Sequence, residues 1–232
     1  MRIVVNHLTR MQPGYICVAG IERKSGRHVR PVLARGRLDT SLLVKAGGPF
    51  DIGAVVDLGE TQYQGSPPET EDHLFTPANA SLVRELAADR FWQMLCDNAA
   101  SDLRSIFGDD LQPLGKGAIV NLNAGTVSLG CVRLSTPPKF EVNSWDKIRA
   151  HLSDNELALD LSVTDLRLYR DDQKTPRSKL LFEIGRRIAR GVPVILAVGL
   201  ARAWLKPGDT TRRHWLQVNN IHLEDDPVWK LA

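Results

Sequence analysis

LALDLSVTDLRLY (residues 157–169), TPRSKLLFEIGRRIARG (175–191), VPVILAVGLARAW (192–204) and HWLQVNNIHL (214–223) decide the shape of this chain. In the first segment Leu157, Leu159, Leu161 and Val163 alternate, as the buried face of a strand does. Leu166 and Leu168 continue the apolar pattern on the opposite parity, so a bulge is expected near Thr164 and Asp165. The second segment is a punctuated helix. Thr175 and Pro176 suit its start, Gly191 suits its left-handed end, and Leu180, Leu181, Ile184 and Ile188 form one stripe. Arg186, Arg187 and Arg190 fall in its last turns, where the helix dipole favours positive charge. The third segment is almost wholly apolar up to Arg202, as a strand buried on both faces reads. A turn over Lys206, Pro207, Gly208 and Asp209 leads into the last strand.

KFEV (139–142) and KIRAHL (147–152) supply two more strands ahead of this stretch. The order β, β, β, α, β, β is that of an OB-fold, a small partly open barrel with a helix between its third and fourth strands. The N-terminal half reads similarly. RIVVNHLT, YICVAGIE and RHVRPVL are strands, DTSLLVKAGG is a short helix capped at Asp39 or Thr40 and stopped at Gly47, and FDIGAVVDLGETQYQ is a fourth strand region. A helical insertion is expected over about residues 66–116. It begins at Ser66-Pro67-Pro68 and contains the helices ASLVRELAADRFWQMLCDNA, with Leu82, Leu86, Phe91 and Leu95 as its apolar face, and SDLRSIFG. AIVNLNAGTVSLGCVRL reads as a hairpin that completes the first unit. Ser135-Thr136-Pro137-Pro138 is the expected boundary, giving barrels over residues 1–135 and 139–232. The fold class is therefore mainly β: two OB-like β-barrels with a helical insertion in the first.

Several of these segments also carry a resemblance. HLTRMQPGYICVAGIE, RHVRPVL, GGPFDIGAVVDLG, EDHLF, LSVTDLRLY, VILAVGLARAW and HWLQVNNIHLEDDP, in this order over nearly the whole chain, are similar to the prokaryotic dual OB-containing domain family. The resemblance implies two OB barrels and, by fold analogy, a nucleic-acid-binding role. Where the family's strand commonly ends in a Thr-Arg-Pro-like sequence, this chain has Ala201-Arg202-Ala203, which keeps the arginine.

Composition narrows the class. The chain has 232 residues, 43% hydrophobic and 25% charged, with a net charge of +3. This is ordinary for a globular protein. The charge is uneven. Residues 1–37 hold eight Arg or Lys against Glu22 alone, whereas residues 51–75 hold only acids. Cys17, Cys96 and Cys131 form no CxxC pair, so a zinc ribbon or disulfide framework is not expected, and the compartment reads as a reducing cytoplasm. No signal peptide is read, and the longest apolar run is too short to span a bilayer.

Candidate binding residues follow from the charge pattern. Phosphate attraction needs Lys or Arg, and sequence-tolerant base binding needs aromatic platforms. Arg10, Arg23, Lys24, Arg27, His28, Arg30, Arg35 and Arg37 of the first unit supply cations beside Tyr15, unless they pair with the acidic 51–75 segment. In the second unit Arg167, Arg202, Trp204, Arg212, Arg213 and His214 fit the same role, unless the tryptophans are core. Asp165, Gln217, Asn219, Asn220 and His222 interrupt apolar strands and define either a polar pocket for a nucleotide or an internal hydrogen-bond network. No catalytic residue, cofactor or metal is expected. Gly115-Lys116-Gly117 lacks phosphate-loop spacing, and neither Asp72-His73 nor His214, His222, Glu224, Asp225 and Asp226 forms a recognised ligand set. The expected function is a non-catalytic module binding single-stranded DNA or RNA through a basic face. The alternatives are a nucleotide or modified-base sensor or adaptor in a prokaryotic antiviral system, with a protein partner from the same operon, and a metal-dependent nuclease.

Overall fold

The computed structural model describes residues 1–155 and 157–230. The strands, in chain order, are β1 (Arg2–Arg10), β2 (Ile16–Glu22), β3 (His28–Val32), β4 (Ala54–Asp57), β5 (Gln62–Tyr63), β6 (Asp72–Leu74) and β7 (Ser81–Glu85). After helix α1 (Ala88–Asn98) come β8 (Ala99–Ala100), helix α2 (Arg104–Phe107), β9 (Gln112–Leu114), β10 (Gly117–Asn121) and β11 (Leu129–Val132). The C-terminal part holds β12 (Lys139–Val142), β13 (Ile148–Asp154), β14 (Leu157–Val163), helix α3 (Ser178–Ala189), β15 (Val194–Leu200) and β16 (Arg213–Leu223).

Two sheets result, and their orders match. The second runs β12-β13-β14-β16-β15, with β14 and β16 parallel. The first runs β6-β3-β2-β1-β4, with β3 and β6 parallel. Numbered within each unit, both follow the same cyclic order, with the third strand parallel to the fifth. That shared order gives two OB-type barrels. The first barrel's fifth strand is therefore β6, the short Asp72-His73-Leu74, in a segment whose run of acids masks it as a strand.

Four expectations are corrected. The hairpin of residues 118–134 does not complete the first barrel: β10 pairs with β16 and β11 with β15, extending the second sheet. The expected helix from Ala80 is split. Ser81–Glu85 is an exposed edge strand against β4, and the helix begins at Ala88 and buries Phe91, Trp92 and Leu95. Pairing with β4 overrides the helical preference of Leu82, Arg84, Glu85 and Leu86. No bulge forms at Thr164. Strand β14 ends at Val163, and Asp165 caps a 3-10 turn over Leu166–Leu168 by accepting from the Arg167 N–H at 3.1 Å. The turn sends Leu166 into the first core and Leu168 into the second. The helix after it starts at Ser178 rather than at Thr175, whose hydroxyl is held by Asp172. Asp39 caps the 3-10 turn Thr40–Leu42, and Gly47, at φ 89°, closes the next turn in the left-handed conformation.

The barrels pack face to face. Strand β15 belongs to both: Leu196, Val198 and Leu200 enter the second core, while Ile195 and Ala197 enter the first. Its unbroken apolar run thus comes from two separate cores, one on each side. Strand β1 lies along the second sheet, with the Arg10 N–H donating to the Thr164 carbonyl at 2.9 Å. Among the described residues no helix is long and apolar enough to cross a membrane.

Candidate nucleic-acid interface and the seam between the barrels

The β2–β3 hairpin carries Arg23, Lys24 and Arg27 on its exposed turn, where Gly26 adopts φ 69° and the Ser25 hydroxyl donates to Glu22 at 2.6 Å. The turn leans toward α1. Between them runs a groove of about 480 Å³ lined by Arg23, Arg84, Arg90, Gln93, Asp97 and Asn98, among others. Strand β7 contributes Arg84 and α1 contributes Arg90. Neither arginine was singled out in the sequence, because both lie in the stretch read as one helix. The side chains of Arg23, Lys24, Arg27, Arg84 and Arg90 meet no carboxylate within ion-pair distance among the described residues.

Arg35 and Arg37 are also exposed, but they follow the far end of β3, beyond Val32. At about 3.3 Å per residue, β3 holds them well away from the hairpin turn. Arg10 is half-buried: its guanidinium sits 4.0 Å from the Tyr169 ring centre and donates to the Gln173 carbonyl at 2.8 Å.

Of the other candidate cations of the first unit, Arg30 faces inward. Arg30 is 4% exposed and donates to Asp72 at 2.5 Å. Asp72 also accepts from Arg202, which pairs with Glu69 at 3.4 Å as well. His214 is buried, with Nδ1 3.1 Å from the Ala201 carbonyl oxygen and 3.4 Å from Glu69. Glu71 accepts from the Ser128 N–H and hydroxyl, both at 2.7 Å, and burial raises its pKa. The loops joining the fourth and fifth strands of the two barrels therefore neutralise each other. The acids of residues 69–72 clamp the barrels together and leave the hairpin turn unmasked.

Arg30, Arg167 and His214 are accordingly corrected as phosphate contacts, since none reaches solvent. Arg167 and Asp165 are both fully buried. The polar-pocket reading of Asp165, Asn219, Asn220 and His222 is corrected in the same way, because the first barrel fills that space. The Asn220 amide accepts from the Leu8 N–H at 2.7 Å and donates to the Leu8 carbonyl at 3.2 Å, acting as a strand partner for β1. Asn219, the extra residue where the β15–β16 register shifts, reaches His7 Nδ1 at 3.1 Å. His222 lies between the carbonyls of Asn6 and Pro227, at 3.0 and 3.2 Å. Gln217 is half-buried on β16.

In the second unit Trp204 is 44% exposed, so it is not core, and Arg212 is exposed beside it in the same loop. Arg213 is half-buried and pairs with Asp209 at 3.2 Å. Trp215 is half-buried, with Lys206 4.7 Å from its ring centre.

His28, on β3, projects into the seam beside His7 and Cys131, and among the described residues this trio has its donor atoms close enough to hold a metal. Burial lowers the His28 pKa to about 4 and raises that of Cys131 to about 12. His7 is lowered too, first by burial and then by the neighbouring His28, His222 and Arg30. Nothing in the local sequence announces the cluster: Cys131 stands 103 positions from His28.

The shared strand order, the interlocked loops and the free cationic groove define a protein of two docked OB barrels. The pattern of the dual OB-containing domain matches residues 1–221, and the chain belongs to that family. No curated protein matches the chain.

Proposed function

We propose that the chain is a non-catalytic nucleic-acid-binding module that holds single-stranded DNA or RNA along the groove between the β2–β3 turn and α1. The observation carrying this reading is the set of unpaired cations there: Arg23, Arg84 and Arg90 on the groove lining, with Lys24 and Arg27 on the adjoining exposed turn. A protein this well supplied with carboxylates leaves five neighbouring cations free where a polyanion can collect them. Asp97 and Glu22 also line the groove, and Gln93 already donates to Asp97 at 2.7 Å. Exposed Trp204 and Arg212 on the second barrel offer a stacking platform for bases.

The test is fluorescence polarisation with labelled oligonucleotides over a salt series. Each phosphate contact on a single strand contributes about −0.7 to the slope of log affinity against log salt. Reversing Arg23, Arg84 and Arg90 to Glu should weaken binding more than tenfold and flatten that slope by about 2. Equal affinity and slope in the triple variant, or no binding of any DNA or RNA at low salt, would end this reading. Trp204→Phe should remove most of the tryptophan quenching by an oligonucleotide, if bases stack on the second barrel. Quenching that persists unchanged places the bases elsewhere.

A further inference from the structure

Two polar atoms at the seam are shut away from solvent without a hydrogen-bond partner among the described residues: Nε2 of His7 and Oδ1 of Asn6. A buried polar atom left unpaired carries its full desolvation cost, and the orphaned imidazole nitrogen calls for a partner. Consecutive strand residues normally point to opposite faces. Here the β1–β2 register shifts between Val5 and His7, so Asn6 is an extra residue and both side chains turn to the same side.

They meet His28 from β3 and Cys131 from β11. One nitrogen of each histidine and the Cys131 Sγ all lie within 4.8 Å of one another. Cys131 Sγ is 4.0 Å from His28 Nε2, and the Asn6 Nδ2 is 3.2 Å from both. Carboxamide oxygen and nitrogen are exchanged by a half-turn of the side chain. That half-turn places Asn6 Oδ1 where Nδ2 now stands, between thiol and imidazole. The result is two imidazole nitrogens, a sulfur and an amide oxygen around one point. His7 Nδ1 meets the Asn219 Nδ2 at 3.1 Å, and the same half-turn of that carboxamide presents its oxygen to accept an Nδ1–H, the outer support that fixes a ligating imidazole.

We propose that His7, His28 and Cys131, with the Asn6 amide oxygen as fourth donor, bind a borderline-soft divalent ion of the zinc class. Zinc takes sulfur at about 2.3 Å and imidazole at about 2.0–2.1 Å, in four-coordinate geometry. Ligand atoms around it lie roughly 3.5 Å apart, so the cluster closes by about an ångström at its widest pair. Coordination displaces the Cys131 thiol proton to solvent, and the ion receives the thiolate pair. His7 and His28 belong to the first barrel and Cys131 to the second sheet, so the ion pins one barrel to the other. His28 is only half-buried and gives the ion its way in. This inference does not rest on the nucleic-acid reading.

The experiment is a Co²⁺ titration of the chelator-treated full chain, followed by Zn²⁺ competition. The expected result is one equivalent of Co²⁺ bound, with a thiolate-to-cobalt charge-transfer band that Zn²⁺ abolishes. Cys131→Ser should lose the band, and His28→Gln should weaken affinity at least tenfold. If Cys131→Ser does not fold, His28→Gln decides, because its residue lies on a partly exposed strand. Absence of the band in the parent chain, a band surviving in folded Cys131→Ser, or unchanged affinity in His28→Gln overturns the proposal.

Discussion

Asp165→Asn should destabilise the protein by about 3–5 kcal/mol, the usual cost of stranding one member of a buried ion pair. Asp165 and Arg167 have no solvent exposure. The carboxylate accepts from Arg167 Nε at 2.9 Å and from its terminal nitrogen at 2.7 Å, and it also holds the Ile221 N–H at 3.0 Å. The guanidinium donates to the carbonyls of Trp229 and Ile221, both at 3.0 Å, and lies 3.6 Å from the Trp229 ring centre. The amide keeps the shape of the carboxylate but removes the countercharge and turns a donor toward a donor. A domain's whole stability is commonly about 5–15 kcal/mol, so a third or more is at stake. Urea unfolding should show a large drop in midpoint with an unchanged slope. Replacing both residues with apolar ones of similar volume should cost less than Asp165→Asn alone, because no charge is then left behind. A single-variant loss under about 1 kcal/mol would show that the arginine finds another partner.

Acidification from pH 7 to pH 4.5 should remove about 2 kcal/mol through His222 alone. Burial, and then the positive charge of Arg167, hold the His222 pKa at about 4, against the opposing pull of the Pro227 and Asn6 carbonyls and of Asp165. A neutral ring has a single N–H for two carbonyls, so the charged form would satisfy both, yet the desolvation cost is larger. The edge-on Phe91 ring and the neighbouring His7 complete its surroundings. In the unfolded chain the ring titrates near 6.5. Since the folded pKa is depressed, this contribution is full above about 6.5, declines as the pH falls, and is spent near 4. His28 and His7 are depressed as well and steepen the decline, while the raised pKa of Glu71 works against it. The urea midpoint followed from pH 7.5 to 4.5 should fall steadily, and His222→Gln should flatten the curve. A midpoint independent of pH over this window would contradict the burial described.

The second barrel was nearly complete in the sequence because its strands are long and mostly apolar, with the helix between them punctuated at both ends. KFEV and LALDLSV appear where the periodicity puts them. The first barrel was harder to read because its fifth strand is the three-residue Asp72–Leu74, set among acids whose partners lie elsewhere in the chain. Edge strand β7 was hidden inside a helical composition for the same reason: its only specification is the hydrogen-bonding edge of β4. The candidate site was legible in part. The hairpin turn declares its free charge locally, but Arg30, a few residues on, looks identical in sequence and is buried against Asp72. Burial of a cation depends on the carboxylate that meets it, and that acid stands 42 positions away.

Strands β10 and β11 precede the Pro137-Pro138 link, yet they are hydrogen-bonded to the last two strands, β16 and β15. During synthesis they leave the ribosome before their partners have been made, and Cys131 must wait for Ala197 to emerge. The two barrels are therefore not beads that can be finished one after the other. Completion of the sheet is deferred until β16 has been made, and a cut at the Pro137-Pro138 link would strand two strands on the wrong fragment.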